Sequence, residues 1–172
     1  MRHIIGILLQ NESGALSRVA AMFSSRGYNI ESLSVSATDD PTVSRITLVT
    51  QGSDTVVQQI VKQLHKLIDV VAVDDMTSDD HLERELALIK IRVRPAQRAA
   101  IQQLLTQAGA RVLTEERDCQ IVELTSTEAA VSELARSLAG AAELLEIVRS
   151  GALAMLRQEP VLHVVENQGA TP

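Results

Sequence analysis

The sequence of 172 residues is poor in the residue types on which several kinds of protein chemistry depend. Its single cysteine, Cys119, permits no internal disulfide and no multi-thiolate metal site, which is typical of a reducing compartment. One tyrosine, one phenylalanine and no tryptophan leave no aromatic platform for stacking nucleic-acid bases. The formal net charge of −6 also argues against nucleic acid, because phosphate contacts need lysine and arginine. We therefore expect no nucleic-acid partner.

Long hydrophobic runs are absent as well. The N-terminal run IIGILL is too short to span a membrane, and no small-residue cleavage site follows it. Hydrophobic residues nevertheless make up 45% of the chain, enough to build the core of one domain or two small ones. The sequence therefore predicts a globular cytoplasmic protein without a membrane partner.

The sequence also lacks the motifs that identify common active sites. It contains no GxGxxG, P-loop, HExxH, CxxC or GxSxG pattern. Its aspartate pairs lie at a turn and beside a linker, where solvated charge is the usual role, so they are weak candidates for a divalent cation. The histidines are scattered over a strand, a helix, a linker and the tail: His3, His65, His81 and His163. We expect no catalytic residues, no metal site and no cofactor of its own.

Hydrophobic periodicity divides the first half of the chain into six elements. Residues 3–9 form a short apolar run that predicts a buried strand. A helix with apolar residues at helical spacing follows and should end near Gly27. Over 29–37, apolar residues that include Val35 alternate with serines, which predicts a second strand with one buried face. After the turn ATDDPTVS come a third strand, a helix capped by Ser53 and a strand ending at Asp74. The apolar residues of that second helix should lie along one buried face: Val56, Val57, Ile60, Val61, Leu64, Leu67 and Ile68.

The second half of the chain repeats this order of strands and helices. Gly109 matches Gly27, ITLVT at 46–50 resembles IVELT at 121–125, and LIDVV at 67–71 resembles LLEIV at 144–148, with offsets of 82, 75 and 77 residues. The second unit opens with the strand ALIKIRV and a helix that has Pro95 in its first turn, and its middle strands have a shorter connection. The fold class predicted is therefore α+β, with two ferredoxin-like βαββαβ units.

We place the domain boundaries from composition. Residues 1–76 form the first unit, the polar stretch 77–84 is a linker, residues 85–160 form the second unit and 161–172 are a tail. In the first unit, the stretch NESGALSRV at 11–19 begins a helix with a small polar loop and bare backbone amides. Ser13 could simply cap this helix, or the amides could receive a carboxylate at the positive end of the helix dipole. The equivalent turn of the second unit, VRPAQR, has neither the asparagine nor the glycine.

A family resemblance favours the anion-binding interpretation. The string LLQNESGALSRVAAMFSSRGYNIESLSVSATDDPTVSRITLVTQG resembles the ACT domain of the small subunit of acetolactate synthase. KQLHKLIDVVAV at 62–73, HLERELALIKI at 81–91 and EIVRSGALAM at 146–155 resemble later segments of the same family. The resemblance weakens between Pro95 and Glu143.

The resemblance implies a regulatory subunit rather than an enzyme. In this family a catalytic large subunit holds thiamine diphosphate, Mg²⁺ and FAD, and the small subunit activates it and confers feedback inhibition by valine or another branched-chain amino acid. The family also implies a homodimer whose sheets join edge to edge, with effector sites between the protomers. Carried over residue by residue, the effector site comprises Asn11, Gly14, Ala15 and Leu16 of one chain with Asn29 and Ile30 of the other.

Two other functions stay open at this point. One is a free-standing ACT protein that senses an amino acid and regulates a different partner. The other, disfavoured by the missing motifs, is a small enzyme on the same scaffold. The identity of the effector also stays open, because valine, leucine and isoleucine differ by about one methylene, roughly 1–3 kcal/mol of binding.

Overall fold

The structure, a computed structural model, describes residues 1–157 and divides them into two compact units. The first unit has the predicted order βαββαβ. Its helices are short and amphipathic, and its central strands β1 and β3 are buried along most of their length. The elements are β1 (Arg2–Gln10), α1 (Ala15–Ser25), β2 (Ser32–Ala37), β3 (Val43–Gln51), α2 (Asp54–Leu64) and β4 (Val70–Asp75).

The sheet of the first unit is antiparallel, with the strand order β2-β3-β1-β4. The two helices pack on one face, because alternate residues of β1 point to the same side of the sheet. Ile5, Ile7 and Leu9 form a core with the apolar stripes of both helices. β2 is an edge strand, and this explains why Val35, predicted on a buried face, is 40% exposed.

The second unit repeats this topology with the strand order β6-β7-β5-β8. As predicted, Pro95 opens the first helix of this unit, within a short 3-10 turn, and Gly109 ends it in the left-handed conformation that Gly27 also adopts. The hairpin between β6 and β7 is shorter than that between β2 and β3, also as predicted. Its elements are β5 (His81–Arg92), α3 (Arg98–Ala108), β6 (Arg111–Glu116), β7 (Cys119–Ser126), α4 (Glu128–Ala141) and β8 (Glu143–Arg149). One further short strand, β9 (Leu153–Leu156), follows β8 in the chain.

Strand register corrects the alignment of the two units. Ile7 and Ile89 are separated by the same 82 residues as the two capping glycines, and they pair with Ile46 and Val122 respectively. Ile46 therefore corresponds to Val122, not to Ile121 as the similar residue types had indicated. In the same way Leu9 and Ile91 pair with Val70 and Leu144, so the match of LIDVV with LLEIV is out of register by three residues. A shift of one residue moves a side chain to the other face of a sheet, and both Ile46 and Val122 are fully buried.

Two further expectations differ from the structure. The stretch 77–84, expected to be a linker, contributes its last four residues to β5. Among the described residues, the first compact unit combines Met1–Leu82 with residues 154–157. The second helix ends at Leu64, so Ile68 lies beyond it and is 86% exposed rather than part of the buried stripe. The predicted tail at 161–172, and the last residues of the second predicted domain, lie outside the described residues.

Candidate functional site

The turn between β1 and α1 has a helix start unlike those of α2 and α4. Gly14 occupies the N-cap position in the left-handed region, with φ of 86°, and no side chain caps the helix. By contrast, Ser53 accepts a hydrogen bond from the amide of Val56 at the start of α2, and Thr127 accepts one from Ala130 at the start of α4. Ser13 therefore does not cap α1, and no acidic residue lies in the first turn of α1 to offset its dipole.

The backbone amides of this first turn are largely unused. Ala15 donates to the carbonyl of Glu12 at 3.2 Å, which corrects the expectation that its amide would be free. Within residues 1–157, the amides of Gly14, Leu16 and Ser17 have no protein acceptor. Unbonded amides at the positive end of a helix form a favourable site for a carboxylate. Gly14 presents no side chain that would block the approach of a ligand.

Asn11 attaches the turn to the β2–β3 hairpin. Its amide donates to the carbonyl of Thr42 at 2.7 Å, and its side-chain Nδ2 donates to the carbonyl of Pro41 at 2.9 Å. Asn11 itself is exposed, as are Gly14 and Leu16, whereas the side chain of Ala15 is buried. The structure thus brings the first four predicted site residues together at one end of β1.

Arg18 and Asp69, which the sequence analysis did not select, support the same turn. The Arg18 guanidinium donates to both carboxylate oxygens of Asp69, with Nη2 and Oδ1 2.6 Å apart. The Asp69 side chain is only 4% exposed, and these hydrogen bonds hold its pKa below its usual range. The free Arg18 Nη1 lies 3.0 Å from the position that a Cβ on Gly14 would occupy. The signal in the sequence that could have identified Asp69 is an acidic residue within the apolar string LIDVV.

Asn29 and Ile30 lie at the opposite end of the sheet from this turn. The Asn29 carbonyl accepts a hydrogen bond from the Thr50 hydroxyl at 2.6 Å, and Thr50 pairs with His3 near the start of β1. Gln10 lies seven positions after His3 along β1, which corresponds to about 23 Å at the rise of a strand. One chain therefore does not bring the two predicted groups of site residues together.

The equivalent turn of the second unit is closed. Pro95 has no amide hydrogen, and the Gln97 side chain accepts from the Arg94 amide at 2.9 Å while the Gln97 amide donates to the Arg94 carbonyl. The carboxylate of Glu143, which occupies the register position of Asp69, pairs with Arg92 on a strand rather than with an arginine on the helix. The open turn is thus a feature of the first unit.

Other kinds of site have little support in the part of the chain that the structure describes. Residues 1–157 contain no group of three histidine, cysteine, aspartate or glutamate side chains arranged to hold a metal ion. In the same residues no helix is both long and apolar enough to cross a membrane. Cys119 is a free thiol at the start of β7.

Comparison with protein-family models finds two matches that follow the two units. Residues 5–72 match the ACT domain of the AHAS small-subunit-like type, and residues 84–158 match a second model described as the small subunit of acetolactate synthase. These ranges correspond to β1 through β4 and to the second repeat.

Individual relatives match over nearly the whole chain. The acetolactate synthase isozyme 3 small subunit of Escherichia coli is 40% identical over 94% of this chain and 99% of its own length. The acetolactate synthase small subunit of Haemophilus influenzae is 42% identical over 92% of this chain and 98% of its own length. The crystal structure of the small subunit from Thermotoga maritima superposes with a TM-score of 0.83 and 31% identity, covering 93% of this chain and 99% of that one. The chain therefore belongs to the acetolactate synthase small-subunit family.

Proposed function

We propose that this chain is the regulatory subunit of acetolactate synthase. It binds the catalytic large subunit, raises the activity of that subunit and makes it sensitive to feedback inhibition by valine or another branched-chain amino acid. The observation that carries the proposal is the uncapped first turn of α1, with its unbonded amides at Gly14, Leu16 and Ser17. Membership of the small-subunit family supports it independently.

The turn has the complementary groups for a small amino acid. The amides of the first turn receive the carboxylate. The side-chain oxygen of Asn11 and the main-chain carbonyl of Asn29 from a second copy accept hydrogen bonds from the ammonium group. Leu16, which is 39% exposed, and Ile30 of the second copy supply apolar contact for the branched side chain.

A second copy can complete this site if two β2 edges pair antiparallel. β2 runs in the same direction as β1, because both are antiparallel to β3. Pairing two β2 strands about a two-fold axis therefore brings the beginning of one strand, just after Ile30, to the end of the other, near Asn11. The same pairing covers an exposed sheet edge. The proposal thus includes a homodimer with the effector bound between protomers.

The chemistry of the reaction is assigned to the large subunit. Thiamine diphosphate, Mg²⁺ and FAD are proposed to bind there, and pyruvate is condensed there with pyruvate or 2-oxobutyrate. This chain has neither a P-loop nor a GxGxxG loop for the phosphates of such cofactors. Its own contribution is to bind the effector better in one state of the complex than in another, which is the condition for allosteric control.

Reconstitution tests the proposal. The purified chain is mixed with the acetolactate synthase large subunit, and acetolactate formation is measured with and without valine. We expect the chain to raise the activity, and we expect valine to reverse that gain. Gly14→Glu should abolish the valine effect, because a carboxylate at the turn repels the carboxylate of the ligand and occupies its space.

Gly109→Glu is the matched control. Gly109 also has a left-handed backbone, with φ of 70°, and a Cβ there would meet no atom within 4 Å, so the same change in size, charge and backbone preference falls on an open position at the end of α3. This variant should retain valine inhibition. Failure of the chain to co-purify with, or to activate, the large subunit would instead favour a free-standing amino-acid sensor with another partner. Undiminished inhibition of the Gly14→Glu complex would refute the assignment of the site.

A further inference from the structure

Asp69 contacts both sides of the turn that connects β1 to α1. Its main-chain carbonyl accepts a hydrogen bond from the Gln10 amide at 2.8 Å, at the last residue of β1. Its carboxylate accepts two hydrogen bonds from Arg18, one helical turn into α1. The four-residue turn NESG at 11–14 is therefore held between two attachments to one buried residue.

Arg18 extends this arrangement to the backbone of the turn. Two of its guanidinium nitrogens are occupied by Asp69, which fixes the plane of the group. The third nitrogen, Nη1, lies beside Gly14, 3.0 Å from where a Cβ would be, and the Arg18 amide donates to the Gly14 carbonyl at 3.0 Å. Both the side chain and the main chain of Arg18 thus contact the residue whose left-handed conformation leaves α1 uncapped.

We propose that Asp69 and Arg18 are positioning residues for the effector turn: they hold the backbone at Gly14 so that the first-turn amides of α1 converge on one carboxylate. This inference rests on the proposed function, since it concerns the same site. Neither residue needs to contact the effector. Preorganised donors bind more tightly than mobile ones, because less conformational entropy is lost when the ligand arrives.

The second unit supports a specific role for this pair. Glu143 occupies the register position of Asp69, yet it is 58% exposed and binds Arg92 on the neighbouring strand. In that unit the 3-10 turn that precedes α3 is capped instead, because the Gln97 side chain accepts a hydrogen bond from the Arg94 amide. The βαββαβ topology therefore does not require a buried acidic residue that links a strand to a helix. Asp69 has this role in the first unit, where the helix start is open.

Two measurements on the full-length chain test the proposal, with valine as the probe. Titration calorimetry gives the dissociation constant for valine, and residue-resolved hydrogen exchange reports the Ala15 and Arg18 amides in the free protein. For Asp69→Asn we expect binding weakened at least about tenfold, the factor that corresponds to losing one charge-assisted hydrogen bond. We also expect faster exchange at both amides, because their acceptors, Glu12 and Gly14, lie in the turn.

A second variant separates positioning from folding. In Asp69→Asn/Arg18→Gln the two side chains are neutral and can still bond each other, so no buried charge is left unpaired, but glutamine does not reach Gly14. This double variant should unfold at a temperature close to that of the wild type and still lose at least about tenfold in valine affinity. Glu143→Gln, the matched control in the second unit, should leave both measurements unchanged.

The outcomes distinguish this inference from the proposed function. If the wild-type chain binds neither valine nor any other branched-chain amino acid, the proposed function fails, and unchanged exchange in Asp69→Asn would then overturn the positioning role as well. If the wild type binds valine and both variants bind it equally well, the proposed function stands and the positioning role is refuted. A fall in unfolding temperature with unchanged affinity and unchanged exchange would likewise show a purely structural role.

Discussion

Gly14 adopts a backbone conformation that other residues rarely reach, and this conformation decides how α1 begins. With φ of 86° at the N-cap, the preceding Ser13 is not in a position to cap the helix, although serine is a preferred cap by type. The amides of Gly14, Leu16 and Ser17 then have no acceptor among residues 1–157. The chemistry of the site thus depends on one residue without a side chain.

Asp74 illustrates the opposite case, a charged side chain placed unfavourably. It lies on β4 opposite Gly6, and its Oδ2 is buried with no hydrogen-bond partner among residues 1–157. Burial raises the pKa of its carboxyl, and the nearby carboxylates of Asp79 and Asp75 raise it further. Since the folded-state pKa lies above the unfolded one, this group favours folding below its unfolded pKa and disfavours folding as pH rises through its folded pKa.

Asp74→Asn should therefore raise the free energy of unfolding at pH 7, and the gain should shrink as the pH falls toward the ordinary aspartate range near about 4. Urea unfolding at several pH values measures this. Asp75→Ala is the control, because the Asp75 Oδ1 accepts hydrogen bonds from the amide and the hydroxyl of Thr77, and the loss of that acceptor should destabilise the fold. A destabilised Asp74→Asn variant at pH 7 would contradict the prediction.

At the scale of elements, the two edge strands β2 and β6 have equivalent places but different expected roles. β2 is an edge strand next to β3, and β6 is an edge strand next to β7. Each also exposes one large apolar side chain, Val35 at 40% and Leu113 at 42%. The proposed effector site requires pairing through β2, because Asn29 and Ile30 precede that strand.

Val35→Lys should shift the protein from dimer to monomer and weaken valine binding, because lysine on an edge strand opposes pairing with another chain. Leu113→Lys makes a comparable change on β6 and should leave the dimer and valine binding unchanged. Light scattering across a concentration series gives the mass of each variant. A dimer that resists Val35→Lys but dissociates with Leu113→Lys would place the dimer interface at β6 of the second unit and contradict the prediction.

At the scale of the whole molecule, the chain contains two βαββαβ units of which only the first has the open turn. Each unit has a core of its own, formed by alternate strand residues and the helix stripes. Among the described residues, the first unit also includes 154–157. There the Ala154 carbonyl accepts from Arg45 at 3.2 Å, and Arg157 pairs with Asp80 at 3.2 Å.

A chain of residues 1–80 should still fold, dimerise and bind valine, because the core of the first unit and its turn are intact. It should be less stable than the first unit of the full chain, since the contacts of Ala154 and Arg157 are lost, and it should transmit inhibition poorly. Urea unfolding, calorimetry and reconstituted activity measure the three properties. Full inhibition by this shortened chain would show that the second unit is dispensable for signalling.

The amino-acid sequence by itself determined the order of elements, the duplication and the location of the open turn. Periodicity of the apolar residues, the caps at Ser53 and Gly109, and the stretch NESG are local signals, and local backbone preferences act within a few residues. Only the tertiary structure decided the strand register, which moved the equivalent of Ile46 by one residue. It also decided the contact of Arg18 with Asp69 and the separation of Asn29 from Gly14. These features depend on residues far apart in the chain, which meet only when the sheet has formed.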